Sequence, residues 1–315
     1  MLELNKQNRK KLWSELTGLI EDYISTVHNL NVTPNFTKAR LTNVIESLDL
    51  SNGTDPFEAL SWVFKQLTEY QVHTPHPGYY GLFNPASSTM GIAADALVAA
   101  FNPQLAAWSH SPFANELERK LVMDFGQRFG YRSNRIDGTF TSGGAEANHT
   151  ALLTALVHHF PDYKTHGLRS VKGSPVFYVS AESHHSLIKA AAMCGLGTEA
   201  VRLVPVDKNL SMDASLLPGL IEEDRKKGNQ PFMVVATGGT TNAGAIDPIN
   251  EIGIVAKNEE LWFHVDAAWG GAVVLTHKYK EVLAGIENAD SITFDAHKWL
   301  SVPMGAGMYV TQHPD

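Results

Sequence analysis

From about residue 115 onward the chain repeats one pattern: a short apolar, β-branched run, then a helical stretch, then another run. The runs are 175–180 (PVFYVS), 201–206 (VRLVPV), 232–237 (FMVVAT), 261–265 (LWFHV), 291–294 (SITF) and 307–311 (GMYVT). A strand that is apolar along its whole length has no face to offer water. Such strands, separated by helices of about 10–15 residues, predict an α/β fold with a mainly parallel sheet flanked by helices on both faces. Ligands of such sheets sit beyond the carboxyl ends of the strands. The residues that follow each run are therefore where chemistry is expected.

Upstream, the spacing of Leu12, Leu16, Leu19, Ile20 and Tyr23 predicts one amphipathic helix. Phe57, Leu60, Trp62, Val63 and Leu67 predict another, with a breaker at 31–34 (NVTP) between them. A loop rich in rings and turn formers follows at 73–85 (HTPHPGYYGLFNP). It reads as a packed structural loop or as a pocket wall, with Tyr80, Phe83, Asn84 and Pro85 as the candidate substrate contacts. The expected organisation is an N-terminal helical segment and pocket loop over 1–100, then a large α/β domain over 101–315.

Of 315 residues, 43% are hydrophobic and 18% charged, which excludes a fully disordered chain. The net charge of −8, from 25 basic and 33 acidic residues, argues against a nucleic-acid partner, which demands a basic surplus. No run approaches the ~20 apolar residues of a membrane span; the nearest, 91–101, carries Asp95. One cysteine, Cys194, and an N-terminus without a secretion-signal pattern lead us to expect a cytoplasmic protein.

Three strand ends carry candidate chemistry. After Phe140 comes 141–148 (TSGGAEAN), a glycine-rich turn opening a helix, where Gly143, Gly144 and Ala145 can present backbone N–H groups to a phosphate. No P-loop pattern is present, and 195–200 (GLGTEA) precedes a strand rather than following one, so it is no dinucleotide fingerprint. The run at 261–265 ends in Asp266, and the run at 291–294 ends in 295–299 (DAHKW), placing Lys298 between His297 and Trp299. A semi-buried acid and lysine read either as a structural salt bridge or as a Schiff-base lysine with a carboxylate that keeps a pyridine nitrogen protonated. With the phosphate turn, the second reading assembles the anchors of pyridoxal 5'-phosphate. His184 is either a surface histidine or a ring that stacks on the pyridine. His184 and His185 are adjacent and no other ligand cluster has metal spacing, so no metal is expected.

Taken together, 76–80 (HPGYY), 141–148, 183–186 (SHHS), 239–241 (GTT), 264–269 (HVDAAW) and 291–299 (SITFDAHKW) resemble the group II pyridoxal-phosphate-dependent amino-acid decarboxylases in order and spacing. The resemblance implies a fold-type-I transferase-like architecture and an amino-acid carboxy-lyase. It implies that Lys298 carries the cofactor, Asp266 pairs with the pyridine nitrogen, Ala268 packs beneath the ring and His184 stacks above it. Gly143, Gly144 and Ala145 would hold the phosphate, Thr241 would lie near the ring substituents, and Asp295 and His297 would complete the surroundings. It also implies a homodimer with active sites at the subunit interface and an aromatic or other bulky amino acid as substrate. Other fold-type-I chemistry (an aminotransferase or C–S lyase) and a catalytically inactive cofactor-binding partner are the alternatives. Family chains continue a hundred or more residues further, with a small domain, a mobile loop carrying a Tyr, and an active-site Arg. The expectation is a chain that lacks them, and the family's basic residue at position 312 is here Gln312.

Overall fold

The structure, a computed structural model, describes residues 3–82 and 85–314. It divides into two compact units, residues 1–86 and 87–315.

The N-terminal unit holds the helices Lys6–Thr26, Lys38–Glu46 and Pro56–Tyr70. The first is capped by Asn5, whose side chain accepts from the Asn8 N–H at 2.9 Å. The third starts with Pro56 in its first turn, where a missing N–H costs nothing. Asp55 caps it, accepting from the Phe57 N–H at 2.9 Å. The middle helix falls within the segment expected to be helical, between the breaker and the second amphipathic stretch, where the spacing delimits no individual helix. The loop that follows is tied back by His73, whose ring lies 3.1 Å from the Tyr23 hydroxyl and 3.0 Å from the Thr68 carbonyl. Among the described residues of this unit only Val27 and His73 are buried.

The larger unit is built on seven strands: β1 (Asp137–Thr141), β2 (Ser174–Ser180), β3 (Val201–Val204), β4 (Asn229–Thr237), β5 (Trp262–Asp266), β6 (Ser291–Asp295) and β7 (Gly307–Thr311). Their order in the sheet is β1-β7-β6-β5-β4-β2-β3. The five strands β6, β5, β4, β2 and β3 are mutually parallel, while β7 runs antiparallel to both β6 and β1. Two successive reversals leave β1 parallel to the rest. The ends of β1, β2, β4, β5 and β6 therefore open at one edge of the sheet.

Helices cover both faces. The pleat sends alternate residues to opposite sides. Val176, Tyr178, Val234, Ala236, Phe263, Val265, Ile292 and Phe294 join one core with residues from the helices Pro112–Arg128, Leu217–Lys226 and Ile249–Asn258. Phe177, Val179, Phe232, Met233 and Val235 join the other, against the helices Gly144–His159 and Ser186–Met193. The helix Thr89–Phe101, expected in the N-terminal segment, belongs with the larger unit. Its entry is fixed there: the Ser88 N–H donates to the Ser301 carbonyl at 2.8 Å, and a Cβ on Gly91 would come within 2.7 Å of Pro303.

Candidate cofactor site

Sheet geometry places Asp266 at the end of β5 and Asp295 at the end of the adjacent, parallel β6. The two loops that follow are stitched together. The Ala267 N–H donates to Thr293 O at 3.0 Å and the Asp295 N–H to Ala268 O at 3.2 Å. Trp269 meets Trp299 edge to face at 5.0 Å between centroids. Lys298 sits on the short helix Ala296–Trp299, and its Nζ lies 3.0 Å from Asp295 Oδ2. The lysine is 27% exposed and the aspartate 2%, so the amine sits at the lip of the site with its counter-charge beneath it.

Burial raises the Asp295 carboxyl above the ordinary carboxylate range, and the Lys298 and His297 charges oppose that rise. His297 is buried, its Nδ1 accepting from the Ala306 N–H at 3.2 Å. Asp295 Oδ1 is buried and has no hydrogen-bond partner within the protein. An orphaned acceptor beside a lysine is a costly arrangement that a ligand's donor would relieve.

The turn after β1 borders the same place. The helix Gly144–His159 begins at Gly143 and no side chain caps it, so its first N–H groups face outward. Glu146 braces the turn, accepting from the Ser142 N–H and hydroxyl, both at 2.7 Å. A Cβ on Gly144 would lie 2.9 Å from Asp295 Oδ2 and 3.0 Å from the Ala268 Cβ. A Cβ on Gly143 would approach His297 Cε1 to 3.5 Å. Gly144 thus has no room for a side chain and keeps the cup open beside Asp295.

Asp266 is buried, with Oδ1 accepting from the Ala268 N–H at 3.1 Å and Oδ2 from the Asn148 amide at 2.7 Å. His184 is half-buried and feels the charges of both Asp266 and Lys298. Desolvation is the largest influence on the ring and holds it below the usual histidine range, hence neutral near pH 7. Thus Gly143, Gly144, His184, Asp266, Ala268, Asp295, His297 and Lys298 share one end of the sheet. Ala145 is exposed on the first turn. Thr241 is exposed in the turn after β4; its neighbour Thr240 is the buried one, bonded to the Ala245 N–H at 3.0 Å. Tyr80 is exposed and Pro85 half-buried, both in the N-terminal unit, while Phe83 and Asn84 lie outside the described residues. Reading the sequence assigned no role to Asn148, although it belongs to the same turn-helix motif; the structure sets it against Asp266.

The family model described as the pyridoxal-dependent decarboxylase conserved domain matches residues 42–314. The chain belongs to the pyridoxal-dependent decarboxylase family. It is 30% identical over 306 residues to an aromatic-L-amino-acid decarboxylase of Bacillus atrophaeus, covering 97% of this chain and 62% of that one. It is 35% identical over 253 residues to the acidic amino acid decarboxylase GADL1 of Xenopus tropicalis, covering 80% of this chain and 49% of the relative. The crystal structure of mouse CSAD matches with a TM-score of 0.91 at 28% identity, covering 99% of this chain and 65% of the mouse protein. The chain therefore spans about half to three-fifths of the length of the curated relatives it matches.

Membership of a pyridoxal-dependent family names the cofactor, and the donor set fits it. An uncapped helix start could meet a phosphate, a lysine beside an orphaned buried acceptor could meet an aldehyde, and a buried carboxylate could pair with a pyridine nitrogen. Among the described residues no group of three or more His, Cys, Asp or Glu side chains is arranged to hold a metal ion. No helix among them is long and apolar enough to cross a membrane.

Proposed function

We propose that this chain carries the cofactor-binding core of an L-amino-acid decarboxylase that releases an amine and CO2. The observation that carries the reading is the convergence of Lys298, Asp266 and the uncapped Gly144 helix start at one sheet edge, in a member of this family. Bound pyridoxal phosphate supplies an electron sink for the pair left behind when the carboxylate departs. The protein's part is binding, orientation and proton placement. The N–H groups of Gly143, Gly144 and Ala145 would hold the phosphate. Asp266 would hold the proton on the pyridine nitrogen. His184, neutral, would stack on the ring without adding charge to it. Asp295 holds the Lys298 ammonium and can take a proton from Nζ when the amine is needed as a nucleophile.

An aromatic or other bulky amino acid is the preferred substrate class, with Tyr80, Phe83, Asn84 and Pro85 kept as candidate substrate contacts from the sequence alone. We also propose a homodimer. The helix Thr89–Phe101 is strongly apolar yet buries none of its residues: Met90, Leu97, Val98 and Phe101 are 75%, 61%, 56% and 82% exposed. An apolar helix that leaves this much of its surface exposed among the described residues is a natural surface for a second copy of the chain.

The test is to supply aromatic and acidic L-amino acids with the cofactor and measure CO2 and product together. Equimolar CO2 and amine from an aromatic substrate is the expected result. A keto acid without CO2 means transamination, and amine only from acidic substrates overturns the substrate class alone.

A further inference from the structure

Behind Asp266 a file of polar side chains runs back between the sheet and the helix Gly144–His159. The pleat puts His264 and Asp266 of β5, and Ser291 and Thr293 of β6, on that face, while their neighbours Val265, Ile292 and Phe294 join the opposite core. All are nearly fully buried: Asn148 is 1% exposed, His264, Ser291 and Thr293 0%, Trp262 4%. Polar groups in such a place are tolerated only when bonded, and apolar residues would pack there at no such cost.

The bonding has one direction. The Trp262 indole N–H can only donate, and it does so to Ser291 Oγ at 2.9 Å. Ser291 Oγ lies 2.8 Å from His264 Nδ1 and can offer its own proton there. Burial pushes His264 down to about 4, so the ring is neutral; we assign its single proton to Nε2, because that atom faces Asn148 Oδ1 at 3.2 Å, with Thr293 Oγ1 also 3.3 Å away. Thr293 donates to the same oxygen at 2.8 Å. With Oδ1 committed, the Asn148 amide must point its N–H groups forward, to Asp266 Oδ2 at 2.7 Å and Ser186 Oγ at 2.9 Å. The opposite amide orientation would set two acceptors against each other at Asp266. Each donor thus hands polarisation toward the carboxylate, and hydrogen bonds aligned in series strengthen one another.

We propose that Asn148 and His264, fed by Ser291 and Trp262, are positioning residues that aim and stabilise the Asp266 carboxylate toward the pyridine nitrogen. The inference rests on the cofactor site described above. It adds that the setting of Asp266 is controlled from the far end of β5, four residues and roughly 13 Å away along the strand.

The experiment titrates pyridoxal phosphate into the apo chain. It records the dissociation constant and the pH midpoint of the bound cofactor's visible band. Asn148→Ala should weaken binding about tenfold and move the midpoint. Trp262→Phe, which keeps a ring but loses the N–H, should move both in the same direction by about two- to threefold. Val179→Ala, in the same apolar layer but outside the file, should lower the melting temperature and leave both unchanged. If Asn148→Ala does not fold, Thr293→Val removes one donor at nearly constant shape and should act in the same direction. Binding and midpoint unchanged in Asn148→Ala, or moved equally by Val179→Ala, overturn the proposal. A wild-type chain that binds no cofactor removes the site reading itself, and this inference with it.

Discussion

The helices Pro56–Tyr70 and Gly144–His159 have 15 and 16 residues, yet the first buries none of them and the second buries six. The first is amphipathic, with Val63 and Leu67 45% and 54% exposed. The second packs Ala147, Ala151, Leu152, Ala155 and Leu156 into the sheet, all 0% exposed. Helix propensity explains neither difference; what each helix lies against does. The larger unit closes its own core and can hold a site to tight tolerance. The N-terminal unit has apolar faces and almost no interior, as expected of a segment whose stability comes from association.

The contrast is sharpest under matched truncations. Leu152→Ala should cost about 2–5 kcal/mol, because it opens a cavity in a closed core. Leu19→Ala, on the half-buried face of helix Lys6–Thr26, should cost under about 1 kcal/mol in chemical denaturation of the larger unit. Equal losses would mean the two units share one core. At the proposed interface on helix Thr89–Phe101, Leu97→Glu combined with Phe101→Glu, at positions 61% and 82% exposed, should weaken self-association by on the order of 100-fold, read by sedimentation, with the closed core of the larger unit retained. An unchanged association state would place the interface elsewhere.

A smaller effect comes from acid. His264 has a folded-state value near 4 against 6.5 for the free side chain. Between those values the unfolded chain takes up a proton that the folded chain refuses, so stability falls as pH falls through that window. Asp247, raised by burial to about 6, acts in the opposite sense: its contribution is lost as pH rises from 3.8 to 6. His264→Gln removes the first influence and leaves the second. Relative to that variant, the wild-type chain should lose up to ~3 kcal/mol between pH 6.5 and 4 in denaturant midpoints. A constant difference across that range would show that His264 is not neutral in the fold.

The sheet was legible because β2, β4, β5 and β6 are buried on both faces and so appear as unbroken apolar runs. β1 (DGTFT) is an edge strand, alternately exposed, and only the turn after it gives it away. The helix Lys38–Glu46 buries nothing and left no strong period to read. Asp266, Lys298 and the Gly143–Gly144 turn stood out as candidates for a chemical reason: charges at the ends of apolar strands are costly without a partner, and a glycine pair opening a helix leaves N–H groups free to meet an anion. Asn148 and His264 did not, because one polar residue inside an apolar segment looks the same whether it satisfies the core or positions a neighbour. Only the direction of its hydrogen bonds separates the two.

The central claim is that the cofactor is held by the larger unit through Lys298. Borohydride reduction of the chain equilibrated with pyridoxal phosphate, followed by peptide mapping, tests it most directly. The account predicts a pyridoxyl group fixed on Lys298, and none fixed in Lys298→Ala. A label on another lysine, or a labelled Lys298→Ala chain, would contradict it.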